Sequence, residues 1–228
     1  MGRERILASD RSAPSGSLRR DVPLPPSTGR LQVPAAALVR LFVRPYFRLR
    51  IEGAGNVPSA GPVIVAPNHD SMWDVPILGV ASLRPLVFMA KEEVFGNPFK
   101  RWVFTELGGF PVRRGKGDTG AIGSALEVLA AGRALAVFPE GTRTAGGLGR
   151  FRSGTARLAL ESGAPIVPVG IGGTEGIWPR GAMFPRRSPV RVVFGKPLEF
   201  GATHDPDPRR LRDVTESLRV EVERLLET

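Results

Sequence analysis

Short apolar runs alternate with amphipathic stretches from about residue 51 onward. The runs are short enough for buried strands and are bounded by Gly, Pro or polar residues; they lie at 63–66, 86–90, 110–112, 134–138, 166–170 and 190–194. Helix-like periodicity falls between them, at 74–81, 98–106, 119–131 and 154–162. This alternation is typical of α/β proteins, so it predicts a single domain over residues 51–228 with a largely parallel central sheet flanked by helices.

Two of the helical stretches carry boundary signals. Asp118 is a candidate N-cap for the stretch 119–131, and Gly132 follows its end. Near the C-terminus, Asp207-Pro208 combines an N-capping acid with proline at the first helical position. One apolar face follows, made of Leu211, Val214, Leu218, Val222 and Leu225. The spacing therefore predicts a final helix that packs on the sheet.

Residues 31–50 mix large apolar residues with regularly spaced arginines. A helix would gather Arg40, Arg44 and Arg48 on one stripe, with apolar side chains around the rest. This predicts an amphipathic membrane-interface segment, with Arg at the headgroups. The alternative is a helix packed on the domain with its Arg face in water. The predicted membrane contacts are Leu38, Arg40, Leu41, Phe42, Arg44 and Phe47.

Basic residues are concentrated at the front of the chain. The net charge is +10, and residues 1–50 hold ten Arg against three acids, while the remainder is nearly balanced. Residues 1–30 lack periodicity and are rich in Arg, Ser, Pro and Gly, which predicts a disordered basic arm. Such an arm suggests lipid headgroups or nucleic acid as partner, unless it is simply solvated. With one Tyr, three Trp and no nucleic-acid motif, we expect no nucleic acid.

Several chemistries and topologies are disfavoured by what the sequence lacks. Cysteine is absent, which removes disulfides and thiolate chemistry and fits a reducing cytosol. The first thirty residues lack the apolar core of a secretory signal, and no apolar run reaches about 18 residues. We therefore expect neither a signal peptide nor a spanning helix. The two histidines, His69 and His204, are too far apart in sequence to suggest a metal site.

A first polar cluster follows the apolar run 63–66. His69 stands after the predicted strand, and Asp74 stands five residues later, in the first turn of the next helix. A carboxylate on one imidazole nitrogen leaves the other nitrogen free to take a proton from a substrate hydroxyl. Taken alone the spacing is weak: His69 could cap the strand and Asp74 the helix. Asp70 is a rival partner for the imidazole, and Ser71 a rival nucleophile that more naturally bonds locally.

A second polar cluster follows the apolar run 134–138. Glu140, Gly141, Thr142 and Arg143 combine a tight backbone with a hydroxyl and a guanidinium, which suit a phosphate. The run 110–112 likewise delivers two arginines, 113 and 114, to a loop. Because side chains alternate along a strand, only one of that pair is expected to face the same pocket. Further cations at 150, 152 and 157 fit an anionic ligand.

In this order, the clusters resemble the glycerophospholipid acyltransferase family. Residues 68–74 match its N-H-x-S-x-x-D block, 109–114 look like its second block, and 138–143 match its F-P-E-G-T-R block. Residues 164–169 are similar to its fourth block, an apolar run around Pro168. The resemblance covers roughly residues 50–200. Two positions depart from the family pattern: Asp70 adds an acid beside His69, and Arg113 stands where an acid is frequent.

The resemblance implies a role for each matching residue. His69 would be the general base and Asp74 its partner, supported by Asn68 and Ser71. Pro168 would help to shape the acyl-donor site. The acceptor's phosphate would be held by Arg114, Glu140, Gly141, Thr142 and Arg143.

The implied reaction moves a fatty acyl group from acyl-CoA or an acyl-carrier protein to a lysophosphatidic-acid-like acceptor, giving phosphatidic acid. Without Cys or a G-x-S-x-G elbow, we expect direct transfer with no covalent intermediate and no cofactor. Expected partners are the lysophospholipid, the thioester donor and an anionic membrane surface, at the cytoplasmic face of the cell membrane. Open alternatives are glycerol 3-phosphate or glycosylated or inositol lipid acceptors, a hydrolase, and a non-catalytic anionic-lipid-binding module.

One Gly-rich segment has no assigned role in this scheme. Residues 170–176 lack the spacing of a dinucleotide fingerprint, and we interpret them as a loop. Trp178, Met183 and Phe184 then form either a second lipid-facing patch or a loop folded on the core.

Overall fold

The fold is a seven-stranded sheet with helices on both faces. The computed structural model describes residues 41–91, 109–112, 119–144, 147–178 and 183–228. Its strands are β1 Arg50–Glu52, β2 Val63–Pro67, β3 Leu86–Lys91, β4 Gly109–Val112, β5 Ala134–Ala136, β6 Ile166–Gly172 and β7 Arg191–Phe194. Its α-helices are α1 Asp74–Ala81, α2 Thr119–Ala130, α3 Gly154–Ser162 and α4 Pro208–Glu227.

The sheet is mostly parallel, as the alternating pattern predicts. Its strand order is β1-β7-β6-β2-β5-β3-β4. The five strands from β6 to β4 run parallel, whereas β7 is antiparallel to β6, and β1 pairs in parallel with β7. β2 lies between β5 and β6, and all five of its residues are buried, as expected for a strand covered on both faces.

Alternate residues of β2 enter two separate hydrophobic cores. Val63 and Val65 join the core that also contains α1 residues, whereas Ile64 and Ala66 join the core beneath α2, α3 and α4. This arrangement gives three layers, with the sheet in the middle. No helix in the described part of the chain combines the length and apolar character needed to cross a bilayer.

Most element predictions agree with the structure. All six predicted strands are present, and α1 and α3 have the predicted bounds. Asp207 caps α4, accepting hydrogen bonds from the backbone N–H groups of Arg209 and Arg210. The basic arm, residues 31–40 with Leu38 and Arg40, the helix at 98–106 and the Asp118 cap lie outside the described residues.

The predicted interface segment 31–50 is corrected at its C-terminal end. Residues 41–46 are helical, but β1 begins at Arg50, and Phe47 and Leu49 are buried in the first core. The domain therefore begins before residue 51. Phe47, predicted as a membrane contact, is only 4% exposed, because its ring packs against Trp73. Leu41, Phe42 and Arg44 are exposed.

Candidate active site

Three neighbouring strands carry the polar loops to one edge of the sheet. β2 is followed by residues 68–73, β5 by residues 137–144, and β6 by residues 173–178. Because β5, β2 and β6 are adjacent and parallel, their carboxyl ends lie side by side. This is the edge at which α/β sheets place ligands and chemistry.

His69 and Asp74 form a hydrogen-bonded pair at this edge. The distance from His69 Nδ1 to Asp74 Oδ2 is 2.8 Å. Asp74 is fully buried, and the His69 side chain is 17% exposed. The imidazole stacks on Phe138, with 4.1 Å between ring centroids. A carboxylate only accepts hydrogen bonds, so the proton lies on Nδ1 and Nε2 is left as the basic nitrogen.

The carboxylate of Asp74 is fixed from several directions. Its Oδ2 atom also accepts from the backbone N–H groups of Asp70 and Ser71, each at 2.8 Å. Its Oδ1 atom accepts from the hydroxyl of Thr174, a fully buried residue in the loop after β6. The carboxylate therefore has little freedom to rotate, and the imidazole inherits that orientation.

The two rival residues of the first cluster bond locally instead. The side chain of Asp70 contacts Asn68 and Thr144 rather than the imidazole, so Asp74 is the residue that orients the ring. The hydroxyl of Ser71 accepts from the backbone N–H of Trp73 at 3.2 Å. That hydrogen bond closes a local turn just before α1, which is the role expected of a serine at this position.

Asn68 joins the His69 loop to β6. Its side-chain amide donates to the carbonyl of Ile171 at 2.9 Å and accepts from the N–H of Ile171 at 2.8 Å. The amide thus satisfies both backbone groups of Ile171 and ties the chain after β2 to β6. It fixes the backbone immediately before His69.

The loop after β5 clamps the backbone of His69. The Glu140 carboxylate accepts from the N–H of His69 at 3.2 Å and from the Thr144 hydroxyl at 3.0 Å. The N–H of Thr144 donates to the carbonyl of His69 at 2.9 Å. Glu140, predicted as a phosphate-site residue, is therefore buried beneath the dyad as a backbone clamp.

Burial raises the pKa of two carboxyls in this clamp. The pKa of Glu140 is raised mainly by desolvation, against the hydrogen bonds from His69 and Thr144. The pKa of Asp70 is also raised mainly by desolvation, against the hydrogen bond from Thr144. Both carboxyls lie within reach of the single Thr144 hydroxyl proton, which can satisfy only one of them at a time.

The remaining predicted phosphate residues are distributed around the turn. Gly141 has a φ of +70°, and the turn closes with its N–H donating to the carbonyl of Phe138 at 3.0 Å. Thr142 and Arg143 are exposed, and Arg143 makes no ion pair with another described residue. Arg113 and Arg114 lie outside the described residues. Pro168, which the resemblance assigns to the acyl-donor site, is buried within β6 opposite Ala66.

A cavity of about 800 Å³ opens beside this turn. Its walls come from the turn itself, from residues 150–153 and from one face of α4. Its charged lining residues are Glu140, Arg150, Arg152, Arg212, Glu216 and Arg219, and Thr142 and Thr144 also line it. Among the described residues, no cluster of three or more His, Asp or Glu side chains is arranged to hold a metal ion.

Comparison with known proteins assigns the family. A family model described as Acyltransferase matches residues 48–172, more than half of the chain. The chain belongs to the Acyltransferase family. The resemblance recognised in the sequence blocks is therefore confirmed.

Two similar proteins of the Acyltransferase family are named as acyltransferases of lipid acceptors. The chloroplastic 1-acyl-sn-glycerol-3-phosphate acyltransferase of Arabidopsis thaliana is 30% identical over 163 residues, 69% of this chain and 46% of the relative. The lyso-ornithine lipid O-acyltransferase of Pseudomonas aeruginosa is 39% identical over 136 residues, 59% of this chain and 51% of the relative. The chain thus spans about half the length of the curated relatives it matches.

A solved structure of the Acyltransferase family shares the fold. The 1-acyl-sn-glycerophosphate (LPA) acyltransferase PlsC of Thermotoga maritima aligns with a TM-score of 0.64 and 27% identity, covering 86% of this chain and 83% of that one. The α/β fold with a mostly parallel sheet is confirmed by this likeness.

Two residues of this Acyltransferase-family site, Thr174 and Gly149, were not predicted from the sequence, and Arg152 was noted there only as one of several cations that fit an anionic ligand. Thr174 lies 100 residues beyond Asp74, so spacing gives no signal for their contact. Arg152 packs its guanidinium over Gly141, where an added Cβ would lie 3.1 Å from Nε. Gly149 faces the clamp: an added Cβ would meet Thr144 Cγ2 at 2.5 Å and Glu140 Oε2 at 2.9 Å. The sequence signal for Arg152 was the local excess of arginine.

Proposed function

We propose that this chain transfers an acyl group from a thioester donor to a hydroxyl of a lysophospholipid-type acceptor, with lysophosphatidic acid as the first candidate. The observation that carries the proposal is the 2.8 Å contact between His69 Nδ1 and the buried carboxylate of Asp74. The names of the Acyltransferase-family relatives supply the substrate class.

The proposed chemistry is direct transfer. Nε2 of His69 takes the proton of the acceptor hydroxyl while that oxygen attacks the thioester carbonyl. The resulting tetrahedral species collapses, the carbon–sulfur bond breaks, and the imidazolium returns its proton to the thiolate. Asp74 stabilises the imidazolium during this cycle. A positioned base of this kind contributes about 10²–10⁴-fold, and holding both substrates in place supplies the rest.

A different acceptor is the second candidate. The relative from Pseudomonas aeruginosa is named for a lyso-ornithine lipid and is the more similar of the two over its aligned segment, at 39% identity. Glycerol 3-phosphate and glycosylated or inositol lipids are further acceptors to compare. A hydrolase would release free fatty acid without any acceptor, and a lipid-binding module would need no base.

The test replaces the base and compares acceptors. Purified protein is incubated with radiolabelled acyl-CoA and each acceptor, and the lipids are separated. We expect His69→Ala to lower acyl transfer at least 10²-fold, with an unchanged thermal unfolding temperature. His204→Ala is the matched control, because His204 is the chain's other histidine and is exposed. Near-normal turnover by His69→Ala refutes the dyad mechanism, and acceptor-independent release of fatty acid refutes the transferase.

We also propose that the protein works as a peripheral enzyme on an anionic membrane surface, at its cytoplasmic leaflet. The helical residues 41–46 meet the segment 183–187: the Tyr46 hydroxyl donates to the carbonyl of Pro185 at 3.0 Å, and Arg187 lies over the Tyr46 ring at 5.4 Å. Large apolar side chains on these two segments are exposed to solvent, with Met183 at 82% and Phe184 at 73%.

This membrane-facing surface is connected to the active site by packed rings. Tyr46 packs on Phe47, Phe47 on Trp73, and Trp73 on Trp178, with centroid separations of 4.8, 5.6 and 6.3 Å. Trp73 immediately precedes Asp74. A bilayer in contact with this surface would thus present its lipids near the dyad. Exposed arginines at 44, 186 and 187 provide attraction to anionic headgroups.

A further inference from the structure

The cavity beside the Glu140 turn is rich in cationic side chains. Four arginines and two glutamates line it. Both glutamates already have partners within the protein: Glu140 binds the His69 backbone and Thr144, and Glu216 binds Arg219 at 2.9 Å. Four arginines against two glutamates leave the lining with an excess of positive charge.

Three of the four arginines are uncommitted. Arg219 is paired with Glu216 and Glu223. By contrast, Arg150, Arg152 and Arg212 have no ion pair with another residue of the described parts of the chain. They come from two segments, residues 150–153 and α4, that converge on one cavity. Converging guanidinium groups are the usual protein device for binding phosphate oxygens.

Arg152 is held in place by the turn at the site. Its backbone N–H donates to the carbonyl of Pro139 at 2.8 Å. Its Nε, Cδ and Cζ atoms pack so closely over Gly141 that an added Cβ would lie 3.1–3.5 Å from them. The cavity thus shares the turn with the dyad's backbone clamp, while His69 itself is not among its lining residues.

The lining reaches the backbone of His69 through Glu140 and Thr144 but does not include the imidazole. This arrangement favours the donor over the acceptor as occupant. In a lysophosphatidic acid, the phosphate and the reacting hydroxyl sit on neighbouring carbons, so its phosphate must lie close to the imidazole. In an acyl-CoA or a loaded carrier protein, a long pantetheine arm separates the phosphate from the thioester. We propose that this arginine cavity binds the phosphate groups of the acyl donor, either those of CoA or the phosphodiester of carrier-bound phosphopantetheine.

The proposal builds on the proposed acyl transfer, so its first test does not require turnover. Calorimetry measures the binding of CoA and of adenosine 3′,5′-bisphosphate to the wild type, to Arg150→Ala/Arg212→Ala and to Arg209→Ala. Arg209 is the matched control, because it is exposed on the same helix as Arg212 but does not line the cavity. We expect the double variant to bind both probes about tenfold more weakly or worse, and the control to stay within twofold.

The second test separates the two substrates kinetically. In the double variant we expect the KM for acyl-CoA, or for acyl-carrier protein if that is the donor used, to rise about tenfold. The KM for the acceptor and that for acyl-pantetheine, which lacks the phosphates, should stay unchanged. If only the KM for acyl-CoA rises, the cavity binds the phosphates of CoA. If only the KM for acyl-carrier protein rises, it binds the phosphodiester of carrier-bound phosphopantetheine.

The outcomes separate this proposal from the proposed function. If the acceptor's KM rises instead, or if neither donor's KM nor probe binding changes, the cavity is not the donor's phosphate site. If the wild type transfers no acyl group but binds CoA through Arg150 and Arg212, the proposed transfer fails and the phosphate site stands.

Discussion

Asp74 accepts four hydrogen bonds, from the imidazole of His69, two backbone N–H groups and the hydroxyl of Thr174. Three of these donors come from the loop after β2, and the fourth comes from the loop after β6. The loops after β2 and β6 thus fix one carboxylate, which orients the imidazole before any substrate arrives. Preorganisation of this kind is obtained during folding rather than during turnover.

The hydroxyl of Thr174 should matter for both stability and turnover. Thr174→Val keeps the side chain's shape but leaves one oxygen of a fully buried carboxylate without its donor. We expect the free energy of unfolding to fall by about 1–3 kcal/mol, and kcat to fall more than KM rises. Urea denaturation and steady-state kinetics measure the two effects. Thr174→Ser, which restores the hydroxyl, should recover turnover; a valine variant equal to the wild type in both assays contradicts the role.

The carboxyls of Asp70 and Glu140 should make the stability of the fold depend on pH in a defined direction. Burial raises the folded-state pKa values of Asp70 and Glu140 above their ordinary values of 3.8 and 4.5. The folded state therefore holds these protons more tightly than the unfolded state, so stability falls as pH rises from the ordinary values through the raised ones.

Asp70→Asn replaces one of these two titrating carboxyls with an amide, which does not titrate. The new asparagine side chain can still accept a hydrogen bond from Asn68 and donate one to Thr144. We expect the stability of the variant relative to the wild type to increase between about pH 4 and about pH 7, measured by urea denaturation at both values. A difference that shrinks or stays constant over this range contradicts the assignment.

The contact between His69 and Asp74 could be predicted from sequence because both residues lie in one loop that leads into one helix. The partnership of Asp74 with Thr174 could not, since it depends on how β6 lies beside β2. Glu140 shows a different limit: its block was recognised, but only the packing of two neighbouring loops reveals that its carboxylate binds the backbone of His69.

Helix α4 lies so close to the sheet that one glycine of β6 is required. A Cβ added to Gly170 would lie 3.0 Å from the carbonyl carbon and Cβ of Leu225. We expect Gly170→Ala to lower the free energy of unfolding by about 1–3 kcal/mol, because the helix backbone must move away from the sheet. Chemical denaturation measures the change.

Gly123 provides the matched control for that substitution. It lies exposed in α2, and a Cβ there would meet no atom within 4 Å. Gly123→Ala should raise the free energy of unfolding by roughly 0.5–1 kcal/mol, since alanine favours a helix interior over glycine. If both variants shift stability in the same direction, the close approach of α4 to β6 is not what constrains Gly170.

The buried strands could be predicted from the sequence because a strand covered on both faces needs a continuous run of apolar residues. β1 was missed because it has only three residues, and its burial pattern is exposed, intermediate, exposed. An edge strand of this kind gives almost no hydrophobic signal. The antiparallel direction of β7 depends on the path of residues 173–190, which periodicity does not report.

In the described part of the chain, basic and exposed apolar side chains combine on one surface. Residues 41–46 lie against the segment 183–187, where Arg44, Arg186 and Arg187 are exposed beside Met183 and Phe184. α4 packs on the opposite face of the sheet, in the second core. In the proposed membrane association, this basic and apolar surface would orient the molecule on a bilayer, with Trp73 and the dyad behind it.

This orientation predicts which substitutions release the protein from lipid vesicles. Burying two large apolar side chains contributes about 1.5–3 kcal/mol each, so Met183→Glu/Phe184→Glu should weaken partitioning onto phosphatidylglycerol-containing vesicles at least tenfold in a sedimentation assay. Val220→Glu is the control, because Val220 is half-exposed on α4, on the other side of the sheet. The control should bind like the wild type, and added salt should weaken wild-type binding, because the arginine contribution is screened. Turnover on vesicle-borne acceptor should fall with binding in the double variant, while turnover on a short-chain soluble acceptor should not. Equal partitioning of the two variants would place the membrane contact elsewhere on the molecule.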